Sequence, residues 1–118
     1  MVTAKCIKIE DNTLMLKFGA LWYSKARTEL NFKNLSEITD RIKEFDVDFI
    51  AVLIKVAHLS YCNETKQQPV STDIEYFYNV IDQYGLISCV QDINMGIVEL
   101  TGVDRMSQSE IEHASKKK

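Results

Sequence analysis

The sequence lacks most of the features on which catalytic and cofactor sites are built. Its cysteines, Cys6, Cys62 and Cys89, are far apart and show none of the C-x-x-C spacing of zinc and redox sites. Its four glycines form no phosphate-binding motif, and no glycine-rich turn near a cysteine offers the anion hole that a thiol enzyme needs. We therefore predict a protein that is not an enzyme and holds no cofactor or metal. The cysteines are interpreted as reduced thiols that serve as small hydrophobic side chains.

Concentrated positive charge and long apolar runs are also missing. The net charge is −3 and no basic cluster lies within the predicted fold, which argues against binding along a phosphate backbone. No run of residues approaches the length of a membrane span, and residues 1–5 contain no apolar stretch of signal-peptide length. We expect a cytoplasmic protein without a membrane partner, and nucleic acid is disfavoured as a partner.

The composition that remains is that of an ordinary globular protein. Of its 118 residues, 46% are hydrophobic and 26% charged, and a single proline, Pro69, interrupts the chain. We predict an α+β fold: an N-terminal β-hairpin followed by about five α-helices in a mainly helical single domain over residues 1–104. Residues 105–118 are polar and are predicted to form a flexible C-terminal tail.

Alternating residues near the N-terminus predict the hairpin. Asp11 and Asn12 are interpreted as a two-residue turn, because both residue types tolerate positive φ. Ile9 then lies opposite Leu14. The apolar face comprises Ile7, Ile9, Leu14, Leu16 and Phe18. Because a lone hairpin is marginal in water, this face is expected to pack on the helices or to extend into a larger sheet, and the open edge is a first hint of self-association.

Helical spacing and capping residues predict the first two helices. The first begins after Gly19, carries Trp22 and ends near Asn31. Asn34 and Glu37 form a capping pair for the second. The buried stripe of the second helix comprises Leu35, Ile38, Ile42 and Phe45.

The third helix is predicted to lie in the middle of the domain, because residues 49–61 are apolar almost all round. A buried strand is the rival interpretation, but the stretch is too long for a typical strand. Residues 63–70 are predicted to form a loop. Ser71 or Thr72 then caps the fourth helix, and Gly85 ends it.

The fifth helix, predicted from Leu86 to Leu100, carries the clearest heptad-like seam. The seam residues are Leu86, Val90, Ile93, Ile97 and Leu100, spaced by four, three, four and three. Packing inside the bundle is the preferred interpretation, and a seam between subunits is the alternative. Gly96 is expected to mark the close approach of another helix.

Two groups of polar residues look like parts of active sites but have structural explanations. His58 and Cys62 share a helix face, as in half a metal site, but no second pair follows. His58 is therefore interpreted as a histidine at the edge of the core that is satisfied by hydrogen bonds. The carboxylate pairs at 46/48 and 73/75 each begin a helix and are interpreted as caps.

The consecutive residues Tyr76, Phe77 and Tyr78 cannot all face one core from a helix. At least one of the two tyrosines is therefore expected to be exposed. Because exposed tyrosines are common interface anchors, this pattern predicts a partner-binding patch.

The order of these segments resembles that of the tail assembly chaperones of long-tailed bacteriophages and prophages. The segments that carry the resemblance are 14–19 (LMLKFG), 21–30, 57–59 (AHL), 70–75 (VSTDIE) and 80–82 (VID). They cover about the first hundred residues and match as patterns of residue class.

The resemblance implies a non-catalytic helical protein that binds the long, hydrophobic tape-measure protein and keeps it soluble until tail-tube subunits assemble around it. It also implies an adaptable apolar surface, a homo-oligomer in the cytoplasm of the bacterial host, and the tail-tube protein as a second candidate partner. Trp22, Tyr76, Tyr78 and Met95 are the residues predicted to bind the partner.

The alternative is a small helical regulator of a mobile element that binds DNA through a helix-turn-helix made of the second and third helices. The third helix is too apolar for a recognition helix, which must offer polar side chains to base edges. An enzyme with an unfamiliar site is a third class, and the lack of a convergent nucleophile, base and anion hole argues against it.

Overall fold

The computed structural model describes residues 4–9 and 12–102. Two strands, β1 (Lys5–Ile9) and β2 (Asn12–Leu16), precede five helices. The helices are α1 (Ala20–Leu30), α2 (Leu35–Lys43), α3 (Val47–Thr65), α4 (Ile74–Tyr84) and α5 (Leu86–Thr101). The predicted α+β fold, a hairpin followed by five helices in one mainly helical domain, is confirmed. The predicted tail at 105–118 lies outside the described residues.

α3 lies at the centre of the fold, as its apolar circumference predicts. Ten of its 19 residues are buried, and β2, α1, α2, α4 and α5 all pack on it. A helix that is apolar all round is stable only when other elements cover every side. The rest of the chain is therefore arranged as a cover for α3.

The hairpin packs on the helices through the predicted face, since Ile7 and Leu14 are buried. Its register, however, differs from the prediction by two residues: Ile7 pairs with Leu14, and Ile9 pairs with Asn12. Asn12 is the first residue of β2, so the predicted turn at Asp11 and Asn12 is wrong. Side chains alternate with a period of two, so both registers put the same residues on the same face, and the apolar pattern does not distinguish them.

The outer edge of β2 is closed by α3. The Lys17 N–H donates to the carbonyl of Ala57 (N···O 3.1 Å), and Nδ1 of His58 donates to the carbonyl of Met15 (2.9 Å). These backbone groups point away from β1, as expected for alternate residues of an antiparallel strand. The predicted open edge is thus covered on this side, and β1 is the other strand of the two-stranded sheet.

Phe18, just after β2, ties the hairpin to both α1 and α5. Its ring packs edge to face on Trp22, with the ring centroids 5.1 Å apart. It also lies directly on Gly96, where an added Cβ would stand 2.4 Å from Cβ of Phe18. The prediction that another helix approaches Gly96 is wrong, because the close neighbour is this aromatic side chain.

Several helix ends use the predicted caps. Oδ1 of Asn34 accepts a hydrogen bond from the Glu37 N–H at 3.1 Å and begins α2. Oδ1 of Asp46 accepts from the Phe49 N–H at 3.2 Å and begins α3. Gly85 ends α4 with φ = 100°, a conformation that side chains rarely adopt.

Two boundaries around the loop before α4 differ from the prediction. α3 continues to Thr65, past the predicted start of the loop at 63. The cap of α4 is neither Ser71 nor Thr72 but Asp73, whose carboxylate accepts from the Glu75 N–H at 3.1 Å. The Ser71 hydroxyl accepts from the Asp73 N–H and orders the turn before the cap. A carboxylate is the stronger acceptor at the positive end of a helix.

The prediction that Phe45 is buried with the stripe of α2 is wrong. Ile38 and Ile42 are buried as predicted, but Phe45 lies past the end of the helix with φ = 55° and is 47% exposed. The chain must turn sharply here because Asp46 immediately caps α3. This left-handed turn moves Phe45 off the stripe.

The seam predicted on α5 is only half-buried, apart from Ile93, which is fully buried. The buried side of the helix is instead centred on Cys89, Ile93 and Gly96. Phe18 needs the smallest residue of α5 beneath it, so Gly96 faces the core. The rest of the seam is thereby rotated to the edge of the core.

We expect Gly96→Ala to destabilise the fold, because the new methyl group would overlap Phe18 and force the hairpin away from α5. The free energy of unfolding should fall by about 1 to 3 kcal/mol, the usual cost of overpacking. Chemical denaturation followed by circular dichroism measures this loss.

Gly19→Ala is the matched control, because the nearest atom to its added Cβ is Cε of Lys17 at 3.8 Å. It should cost less than about 1 kcal/mol. Equal losses in the two variants would show that the contact between Phe18 and Gly96 does not limit the packing.

Candidate partner-binding surface

An apolar groove lies where the start of α1, the start of α2 and the end of α5 meet. It has a volume of about 320 Å³ and is lined by Ala20, Tyr23, Leu35, Leu100 and Thr101. Tyr23, Leu35 and Leu100 pack partly against the core and are half-buried. No lining residue carries a charge. The groove therefore suits apolar side chains, such as those on one stripe of an amphipathic helix.

A contact between aromatic rings supports one wall of the groove. The ring of Tyr23 packs edge to face on Phe32, with centroids 5.6 Å apart, and Phe32 is itself buried against Phe49 of α3. A side chain held this way loses little conformational freedom when a ligand binds. Tyr23 is therefore an ordered part of the groove.

The solvent-facing side of α5 adds a second exposed apolar area. Ile87, Met95 and Val98 are 64%, 56% and 41% exposed. Large apolar side chains exposed singly are common in soluble proteins, and these three lie along one side of a single helix. This surface lies on the same helix that contributes Leu100 and Thr101 to the groove.

The two charged residues of α5, Asp92 and Glu99, interact with neighbouring elements. Asp92 accepts a hydrogen bond from the Tyr84 hydroxyl at 2.8 Å, and Glu99 forms an ion pair with Lys5 of β1. Burial, followed by the hydrogen bond to Asp92, raises the pKa of Tyr84 to about 12, so the phenol stays protonated and donates. The exposed side of α5 is consequently free of charge.

Trp22 does not lie on any surface. It is fully buried, and its indole N–H donates to the carbonyl of Leu53 in α3 at 3.0 Å. Its side chain is therefore not accessible to a partner in this fold, and its role is to anchor α1 on α3.

Tyr76 and Tyr78 are both half-buried, on either side of the buried Phe77. Tyr76 packs edge to face on Phe77, with centroids 5.2 Å apart. The Tyr78 hydroxyl donates to Asp48 at 2.5 Å, and this hydrogen bond raises the pKa of Tyr78. Both tyrosines are thus held against the fold and are only partly accessible, so neither is the exposed tyrosine that the sequence pattern predicts.

Of the four residues predicted to bind a partner, Met95 is the most exposed. The contacts above place the other three in the core or against α3 and Phe77, so the four do not form one patch. The groove residues Tyr23, Leu35 and Leu100 were missed as a site because they come from three distant segments. The lack of charge along the exposed side of α5 was a signal that the sequence did offer.

His58 has both ring nitrogens occupied. Nδ1 donates to the Met15 carbonyl, and Nε2 accepts from the Val70 N–H at 3.0 Å. The predicted hydrogen-bonded histidine is confirmed. Sγ of Cys62 lies 3.6 Å from Nε2. Across residues 4–9 and 12–102, no group of three or more His, Cys, Asp or Glu side chains is arranged to hold a metal ion.

The burial of α3 also bears on DNA binding. Ten of its side chains are buried, so it is not available to enter a major groove as a recognition helix. No helix in the described part of the chain has the length and apolar character needed to cross a membrane.

The chain matches no protein-family model, no curated protein and no solved structure.

We expect His58→Leu to lower the free energy of unfolding by about 2 to 4 kcal/mol, because the Met15 carbonyl and the Val70 N–H lose their partner. Cys62→Ala, one turn further on and also buried, is the control and should cost about 1 kcal/mol. Thermal unfolding of the two variants gives the comparison. Equal losses would mean that the hydrogen bonds of His58 add no stability.

We expect alkylation at neutral pH to modify Cys6 first. Cys6 is exposed, whereas Cys62 and Cys89 are buried. Burial raises the pKa of Cys62, and it raises that of Cys89 to about 12, so little of the reactive thiolate forms. Peptide mass spectrometry after iodoacetamide treatment reports the order. Modification of Cys89 in the folded protein as fast as that of Cys6 would contradict this burial.

Proposed function

We propose that this protein is a non-enzymatic tail assembly chaperone of a long-tailed phage or prophage. In this proposal it binds the tape-measure protein in the cytoplasm of the bacterial host and keeps it soluble, with the tail-tube protein as a second candidate partner, and it acts as a homo-oligomer. The observation that carries the proposal is the uncharged groove formed by α1, α2 and α5. The sequence resemblance described above supplies the identity of the partner.

The groove offers what binding of an amphipathic helix requires. Its half-buried walls, Tyr23, Leu35 and Leu100, are part of the folded core and are present before a ligand arrives. A helix that lays its apolar stripe there removes that stripe from water, and the resulting gain scales with the apolar area covered. Covering such stripes prevents a long, hydrophobic chain from aggregating.

A modest affinity also fits the proposal. The groove has five lining residues, whereas a standard protein interface takes roughly 20–30 residues from each side, so each site alone holds a helix weakly. Weak contacts allow the chaperone to leave when tail-tube subunits assemble. Several copies along one client raise the total affinity through multivalency.

We expect Ala20→Glu to abolish co-purification of the tape-measure protein encoded in the same genome. Ala20 is an exposed residue of the groove in the first turn of α1, which has no acidic residue there. A carboxylate is favourable for the helix at this end but must be desolvated when an apolar stripe binds. The affinity should fall by at least about tenfold. Co-expression followed by affinity purification and a solubility assay measures the effect.

Thr28→Glu is the control, because it adds the same charge to an exposed position of α1 outside the groove. It should leave co-purification unchanged. Failure of the unmodified protein to bind or to solubilise the tape-measure protein would overturn the proposal. Full binding of the tape-measure protein by Ala20→Glu would show that the groove is not the binding site.

A further inference from the structure

A second heptad-like series lies on the outer side of α5, one residue after the predicted seam. Its members are Ile87, Gln91, Asn94, Val98 and Thr101, spaced by four, three, four and three, and all five are exposed. This spacing places them in one line along the helix. The inner series packs at the edge of the core, whereas the outer series is exposed, with Thr101 at its end also lining the groove. α5 thus has two seams, and only one is used within the chain.

The outer seam carries no charge, although 26% of the residues of the chain are charged. The acids of α5 are held elsewhere, Asp92 by Tyr84 and Glu99 by Lys5. Depletion of charged residues is typical of the core of a protein interface. A net charge of −3 opposes the meeting of two copies, but charges more than about 8 Å apart are largely screened at physiological ionic strength.

The order of residues along the outer seam is self-complementary. When two copies of the seam run antiparallel about a two-fold axis between Gln91 and Asn94, Ile87 of one copy meets Val98 of the other. Gln91 of each copy then lies opposite Asn94 of the other copy, which gives two amide pairs at the centre. Each amide side chain can both donate and accept a hydrogen bond. The two apolar pairs lie on either side of the amide pairs.

We propose that the outer face of α5 binds a second copy of this chain, with the two α5 helices antiparallel and paired in this register. Met95 flanks the seam, and the two-fold axis brings it beside the same residue of the second copy. Antiparallel packing also places the positive end of each helix dipole beside the negative end of the other, which parallel packing does not. Central amide pairs fix the register, as buried polar residues do in coiled coils.

This inference deepens the self-association included in the proposed function and depends on that part alone. The chaperone activity and the dimer are tested separately, because the dimer experiment uses only this protein. A dimer that does not bind the tape-measure protein would leave the interface standing and overturn the chaperone function.

The interface is expected to be reversible. A helix of 16 residues is about 24 Å long, and one pair of such helices buries less than a standard interface of roughly 800 Å² per partner. The fraction of dimer should therefore rise with protein concentration, which sedimentation velocity or light scattering after size exclusion records.

Val98→Glu should raise the dissociation constant of the dimer by at least about tenfold, because it adds a carboxylate to each apolar pair. Val70→Glu is the matched control: Val70 is 56% exposed, lies in the loop before α4, and should leave the equilibrium unchanged. Circular dichroism checks that both variants are folded. A monomer at every concentration, or equal effects of the two variants, would overturn the proposal.

Disulfide trapping tests the direction of the helices. In a Cys6→Ser background, which removes the exposed native thiol, the double variant Ile87→Cys, Val98→Cys should form a covalent dimer on oxidation. Ile87→Cys alone should remain monomeric under denaturing electrophoresis, because its counterpart in the second copy is residue 98. A covalent dimer from Ile87→Cys alone would show a parallel pair and overturn the antiparallel register.

The Val98→Glu variant also distinguishes a second copy of this chain from two other candidates for binding to this face. If residues 103–118 of the same chain cover it, Val98→Glu will lower the free energy of unfolding of a protein that is monomeric throughout, and the proposal fails. If only the tape-measure protein covers it, the variant will lose co-purification without any change in a monomeric state, and the proposal also fails.

Discussion

The constraint on which the structure depends is that α3 must be covered on all sides. Ten of its 19 residues are buried, and β2, α1, α2, α4 and α5 each cover part of its surface. This requirement accounts for the closed edge of β2. The hairpin lies close enough to α3 for Lys17 and His58 to satisfy backbone groups that a bare edge would leave to water.

Hydrogen bonds fix the positions of the elements that pack on α3. Trp22 donates to the Leu53 carbonyl and fixes α1, while His58 connects α3 to β2 and to the loop at Val70. Hydrophobic burial alone is not directional, whereas these hydrogen bonds tolerate only small displacements. Phe18 then fixes the position of α5 relative to the hairpin. Its side chain packs on Gly96 and leaves no room there for a larger residue.

The candidate binding surfaces follow from the same packing. With Gly96 turned inward, the uncharged outer seam of α5 must point to solvent, and Leu100 comes to lie beside Tyr23 and Leu35 to form the groove. The exposed apolar surface is therefore a consequence of the Phe18 contact and provides the physical basis of both proposals.

The sequence by itself determined the elements, the central place of α3 and the apolar face of the hairpin, because these depend on periodicity and caps within a few residues, as at Asn34 and Asp46. Only the tertiary structure decided the hairpin register, the exposure of Phe45, the rotation of α5 and the groove. Registers two residues apart share one pattern, and the rotation of α5 depends on Phe18, far away in the chain. Such outcomes are set by which distant side chains fit together, and local sequence does not encode that fit.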